Sequence, residues 1–416
     1  MRRFSKMGRL GFLVGLLISL SSPAAAGPLS HCEPDRLQQS GAVYRICMPP
    51  PRLWNGDLVI WAHGYVAFNE PVAIPQDQLC LPEGPCIPDI VNALGFGFAT
   101  TSYSTNGLAV LQGIEDVIDL VELFAESQGE PDHVYLVGAS EGGLITALAV
   151  EQHPDVFDGG IAACGPIGDF NRQIDYFGDF RAAFDYFFPG LVPGSPTEVP
   201  EALINDWEAY YAQVVMPVVF DPANKGKLDQ LLKVAHVPFD KNDPETVKTS
   251  VGDALWYNVF ALNDAVEKLG GQPFDNRGRR YRGSKNDFLL NLLIERVRAD
   301  QTALDEIDAH YQTSGELISP LVTLHTTKDQ QVPFVHERLY RRKVRDAGAQ
   351  ALHTNIIARR YGHCNFKLSE VILSFAVLVN KVTAEPLEDV DAVLTDPKDL
   401  KAFLKQEKKF QIRRRR

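Results

Sequence analysis

Beyond its first 26 residues, the chain of 416 has no apolar run approaching the ~20 residues that a membrane-spanning helix needs. It has no C-x-x-C and no H-E-x-x-H spacing, so no metal site is expected. No repeat at a solenoid period is visible, which sets aside stacked-repeat architectures. Positive charge is in deficit: 41 Lys and Arg face 53 Asp and Glu, for a formal net charge of −12. Such a chain repels phosphate backbones, and nucleic acid is not an expected partner. Disorder, collagen and coiled coil are excluded by ordinary globular proportions, 45% hydrophobic, 23% charged and 10% aromatic.

What is present begins with an export signal. Arg2, Arg3, Lys6 and Arg9 precede an apolar run from Leu10 to Leu20, and Ala24-Ala25-Ala26 closes the segment in a small-residue cleavage pattern. Residues 1–26 are expected to be removed, leaving a secreted or periplasmic protein with no membrane span. Export permits disulfides, and all six cysteines, Cys32, Cys47, Cys80, Cys86, Cys164 and Cys364, lie beyond the signal. Six cysteines allow fifteen pairings, among which sequence alone does not choose. Joining near neighbours pairs Cys32 with Cys47 and Cys80 with Cys86, leaving Cys164 for Cys364. The far end carries Lys408, Lys409 and Arg413 to Arg416, read as a solvated, disordered tail, as like-charge runs usually are.

Between these ends, apolar strands alternate with helical patterns. Leu58–Ala62 is continuously apolar, as befits a central strand covered by helices on both sides. Residues 41–48, 97–103, 133–137, 159–163, 321–325 and 353–358 are further strand candidates. Ile114, Val117, Ile118 and Val121 recur at helical spacing, as do the apolar residues of 144–150 and 368–382. This alternation predicts an α/β fold with a mostly parallel sheet. It lapses from Pro166 to about Ser319, where patterns are helical and 286–311 is expected as one long helix. The expected organisation is a first core part over 27–165, a helical cap over 166–319, a second core part over 320–385, and an extension with the basic tail over 386–416. Aromatics early in the cap, Phe177, Phe180 and Phe184 among them, are expected to pack it and to line a substrate site.

The strand at 133–137 runs into Gly138-Ala139-Ser140-Glu141-Gly142 and then a helix, the setting in which G-x-S-x-G places a serine on a tight turn. A serine hydroxyl needs a base to take its proton and an acid to orient that base. Asp329 follows the strand at 321–325, and His363 follows the strand at 353–358, giving the chain order Ser140, Asp329, His363. His325 and His336 are rival bases, the latter in an expected surface helix, and Asp346 is a weaker rival acid. An oxyanion needs two backbone N–H groups. Glu141 is expected to supply one, and Tyr65 or Val66, after His63-Gly64, the other. His63 itself is read as a loop-holding residue and the Glu141 side chain as a helix N-terminal acid.

These motifs resemble the α/β-hydrolase superfamily: the His-Gly pair, the G-x-S-x-G elbow, Asp329 ahead of Val332-Pro333, and the Gly362-His363 loop. The resemblance covers about 41–166 and 321–382. It implies an eight-stranded, mostly parallel sheet with Ser140, Asp329 and His363 as a triad. The chain is also similar to secreted esterases of the feruloyl esterase and tannase group, whose nucleophile and histidine loops share a disulfide, although Ala139 stands where that group has cysteine. A Cys164–Cys364 bridge would act in that way here. The expected function is hydrolysis of a small-molecule or polymeric carboxylic ester through an acyl-enzyme. An exported serine peptidase of prolyl oligopeptidase-like or aminopeptidase-like type is the alternative, and a non-catalytic binding protein on the same scaffold a third reading. No cofactor is implied.

Overall fold

Strands that are apolar throughout are stable only where both sheet faces are covered, and Leu58–Ala62 and Gly159–Ala163 are of that kind. In the computed structural model, which describes residues 31–81 and 84–414, both lie inside one sheet. Residues 1–26, the expected export signal, fall outside the described residues. The strands are β1 His31–Cys32, β2 Arg36–Leu37, β3 Val43–Met48, β4 Leu58–Ala62, β5 Gly97–Thr101, β6 Val134–Ala139, β7 Gly159–Ala163, β8 Leu321–Lys328 and β9 His353–Tyr361. Eight run side by side in the order β1-β3-β5-β4-β6-β7-β8-β9, and the two-residue β2 is a ninth that pairs with β3. From β5 to β9 every pairing is parallel, while β3 runs antiparallel to β5. This is an α/β-hydrolase fold.

Side chains alternate across the sheet because successive Cβ atoms in a strand point to opposite faces. Leu58, Ile60 and Ala62 join one core with Leu136 and Ala162, beneath helices α2 (Val110–Gln128) and α3 (Glu141–Gln152). Val59, Tyr135, Ile161 and Leu324 join another with α1 (Ile87–Ala93) and the helix Leu368–Thr383. Burying each such large apolar side chain contributes about 1.5–3 kcal/mol. The result is a three-layer molecule whose parallel strands end together on one edge.

Between β7 and β8 the chain is helical, beginning with α4 (Phe170–Phe187), and it builds its own core around Phe180, Phe184, Trp207, Leu231 and Leu255. The expected single helix over 286–311 is two, Asp287–Leu293 and Gln301–His310. Ile294 turns extended, and Asn276 holds the segment between them, accepting from the Val297 N–H at 2.8 Å and donating to the Glu295 carbonyl at 2.9 Å. The basic tail also departs from expectation, since a helix covers Pro397–Arg414. Phe403, 2% exposed, anchors that helix in the core shared with Leu368–Thr383.

Candidate functional site

Ser140 joins β6 to α3 with φ 60° and ψ −122°. A non-glycine residue held there stores about 1–3 kcal/mol of backbone strain. The flanking glycines are required by contact: a Cβ on Gly142 would lie 2.0 Å from the Ala62 carbonyl oxygen, and one on Gly138 would lie 2.1 Å from the Gly142 carbonyl oxygen. The turn is fixed by the Ser140 N–H donating to the Ala163 carbonyl at 2.9 Å and by the Gly143 N–H donating to the Ser140 carbonyl at 2.9 Å. No protein acceptor meets the Glu141 N–H or the Tyr65 N–H among the described residues. Gln78 clamps the Gly64–Tyr65 loop, accepting from the Gly64 N–H at 2.7 Å and donating to the Tyr65 carbonyl at 3.3 Å. His63 packs behind it, buried and stacked on Tyr103, with Nδ1 2.6 Å from the Gly64 carbonyl.

Asp329 lies just past β8 and His363 just past β9, and the two meet: His363 Nδ1 is 2.8 Å from Asp329 Oδ2. The Asp329 carboxylate, fully buried, also accepts from the N–H groups of Gln331 and Val332, both at 2.9 Å. Burial alone would raise its pKa, but the charge of His363 and hydrogen bonding with His325 and His363 hold it well below the usual carboxylate range. His363 Nε2 is buried without a protein partner among the described residues, and His363 lines the same cavity as Ser140.

Behind Asp329 stands His325, fully buried between two carboxylates, 3.4 Å from Asp329 Oδ2 through Nε2 and 3.4 Å from Glu337 Oε1 through Nδ1. Burial disfavours its cation, yet the two carboxylates raise its pKa to about 10. Glu337 is held in turn by Thr323 Oγ1 at 2.7 Å and by Asn355 Nδ2. The pattern of residues carries no sign of this ion pairing, because Glu337 comes from a separate helix, Val335–Asp346. His336, expected on a surface helix, is fully buried, accepting at Nδ1 from the N–H groups of Gly168 and Asp169 at 3.3 and 3.4 Å. Burial and nearby cations push its pKa down to about 3. Asp346 is exposed and pairs with Arg345.

Three disulfides close the chain: Cys32–Cys47, Cys80–Cys86 and Cys164–Cys364. The last ties the end of β7 directly to the residue after His363. Cys164, His363 and Cys364 are near enough to resemble a metal-ligand cluster. Their two sulfurs are bonded to each other, so the trio offers a single imidazole.

Two cavities meet at Ser140. The smaller, about 70 Å³, is lined by α3 and α4 residues including Glu141, Leu144, Phe170 and Phe177. The larger, about 320 Å³, runs from Ser140 and His363 between the sheet and the helices α1 and Leu368–Thr383. Tyr65, Ser140 and Tyr257 belong to both walls. Phe177, stacked on Tyr257 with centroids 5.0 Å apart, thus borders the site. Phe180 and Phe184 do not line either cavity: both are fully buried and stacked on each other in the core of the helical segment. They lie about one and two turns further along α4, past the stretch of that helix that borders the cavity and among the side chains of that core. The helical segment also grips the Asp329 loop, through Asp253 accepting from Gln330 and Gln331 at 2.8 and 2.9 Å, and through Tyr176 and Gln173 donating to the Gln330 and Gln331 carbonyls. Burial pushes the Glu141 carboxyl up to about 8, against a hydrogen bond from the Ala109 N–H.

Residues 95–175, which hold β5, α2, β6, Ser140 and α3, match the prolyl oligopeptidase family, Peptidase_S9. A curated relative, the o-phthalyl amidase of Xanthobacter agilis, is 22% identical over 360 residues, 70% of this chain and 75% of its own. Among solved structures, the chain is similar to the acylaminoacyl peptidase of Pyrococcus horikoshii (TM-score 0.41, 10% identity, 80% of this chain and 37% of that one). It is also similar to an esterase from Aspergillus oryzae (TM-score 0.43, 14% identity, 83% and 78%). The chain therefore spans less than half the length of that peptidase.

Proposed function

We propose that this chain, a serine hydrolase on the α/β-hydrolase fold, cleaves carboxylic esters through an acyl-enzyme. The observation that carries the reading is that the strained turn at Ser140 and His363 line one cavity, with Asp329 hydrogen-bonded to Nδ1 of the imidazole and Nε2 left without a partner among the described residues. Ser140 Oγ attacks the ester carbonyl as its proton passes to His363 Nε2. The Asp329 carboxylate holds the imidazole in the tautomer with Nδ1–H and stabilises the imidazolium that forms. The oxyanion is received by the N–H groups of Tyr65 and Glu141, in place before the reaction and aided by the α3 dipole. His363 returns the proton to the departing alcohol, and water then repeats the sequence on the acyl-serine. Phe177 takes part in substrate binding. The reading includes export, with which three disulfides agree. Among the described residues no helix is long and apolar enough to cross a membrane.

The o-phthalyl amidase relative and the prolyl oligopeptidase match favour a second reading, amide or peptide cleavage with the same groups. Turnover of p-nitrophenyl esters and of aminoacyl p-nitroanilides, by the oxidised protein and by Ser140→Ala, separates the two. Ester turnover lost in the variant is expected. Anilide turnover alone would replace the ester reading with the second.

A further inference from the structure

The two cavities divide the candidate site unequally, and the division follows the chemistry. In the acyl-enzyme step the Ser140 Oγ–carbonyl bond forms, the bond from the carbonyl carbon to the alcohol oxygen breaks, and His363 Nε2 delivers the proton to that oxygen. The alcohol must therefore leave on the side of His363. The acyl group stays on Ser140, with its oxygen toward the Tyr65 and Glu141 N–H groups. His363 lines the larger cavity and is absent from the wall of the smaller one, whereas Glu141 lines the smaller and is absent from the larger.

Resting on the ester reading, we propose that the cavity between the sheet and α1 is the leaving-group site, and that the preferred substrates join a short acyl group to a long, unbranched apolar alcohol. The wall on the sheet side is built from alternate residues of neighbouring strands, Val59, Val137 and Ile161, and the opposite wall from Ile90 and Val91 of α1 and Phe375. Its polar groups are largely occupied elsewhere. Gln78 clamps the Gly64–Tyr65 loop, and Ser374 Oγ donates to the Glu370 carbonyl at 2.8 Å. Apart from His363 Nε2 at the reacting end, the exceptions are the Trp61 indole N–H and the Tyr65 hydroxyl, each buried without a partner among the described residues, and the first leaves room for one acceptor on the bound chain. A cavity lined in this way gains from an alkyl chain and offers little to water. The smaller cavity, with about 70 Å³ against about 320 Å³, sets the limit on the acyl side.

The test uses two matched ester series read by acid release: acetates of linear primary alcohols of rising length, and methyl esters of linear acids of rising length. The expected result is that kcat/KM climbs with alcohol length by up to about fourfold per methylene until the cavity is filled, and stays flat or falls with acyl length. Val91→Phe is expected to end the climb at a shorter alcohol, and the wild-type series decides by itself if that variant does not fold. A climb along the acyl series, or an equal climb along both, overturns the assignment while leaving the ester reading intact. No hydrolysis of any member, or hydrolysis undiminished in Ser140→Ala, overturns the ester reading itself and the assignment with it.

Discussion

Replacing His325 by Gln removes an imidazole wedged between two buried carboxylates, leaving Asp329 and Glu337 without the charge that separates them. Breaking a buried pair in this way costs about 3–5 kcal/mol. Because the folded pKa of His325 is raised to about 10 from an unfolded value of about 6.5, its stabilisation is complete below about pH 6.5 and is lost as pH rises through about 10. Thermal denaturation should show that alkaline loss in the wild type and a lowered, flatter curve in His325→Gln. Superimposable curves would remove His325 from the account. Glu141 also loses stability with rising pH, but over a lower range. Its folded pKa of about 8 lies above an unfolded value of about 4.3, so ionisation of the unfolded chain erodes stability as pH climbs from about 4.3 to about 8. Glu141→Gln should level that slope and, because only its backbone N–H is assigned to the oxyanion, keep kcat within about tenfold. A loss of activity as deep as that of Ser140→Ala would show that the side chain takes part in the chemistry.

At the scale of elements, the Cys164–Cys364 bridge joins two loops that are 200 residues apart in the chain. Cys164→Ser with Cys364→Ser should lower stability by about 2–5 kcal/mol and depress kcat more than it raises KM, since His363 loses its anchor while the cavities remain. Unchanged kcat in a destabilised protein would make the bridge purely structural. Elements of this kind differ in how plainly the chain announces them. The strands at 58–62 and 159–163 have the bounds that their apolar runs indicate, and the others shift by a few residues: β8 and β9 run three residues further, to Lys328 and Tyr361. Ser140, Asp329 and His363 were legible because each follows a strand in a recognisable local pattern. The break at Ile294 was hidden, since the side chain responsible for it, Asn276, lies well upstream. The burial of His336 was hidden too, because its helix is charged along most of its length while the face carrying His336, Tyr340 and Val344 is covered by the rest of the molecule. Phe180 and Phe184 are as aromatic as Phe177, and only packing tells which of them reaches the site.

Across the whole molecule, the formal charge of −12 bears on substrate capture and not on the fold. For neutral esters kcat/KM should vary little with ionic strength. For an ester that carries a carboxylate it should rise with added salt as repulsion is screened beyond a Debye length of ~10 Å at 0.1 M. A fall with salt would require a cationic patch at the site entrance. The same scale explains the site itself, since its parts come from segments far apart in the chain: the Tyr65 loop, the Ser140 turn, the Asp329 and His363 loops, and Tyr257 from the helical segment.

The most direct test of the central claim is peptide mapping by mass spectrometry after reaction of the oxidised protein with a fluorophosphonate. One phosphonyl group is expected, carried on Ser140, and none in His363→Ala over the same interval. No adduct, or an adduct on another residue with Ser140 unmodified, would contradict it.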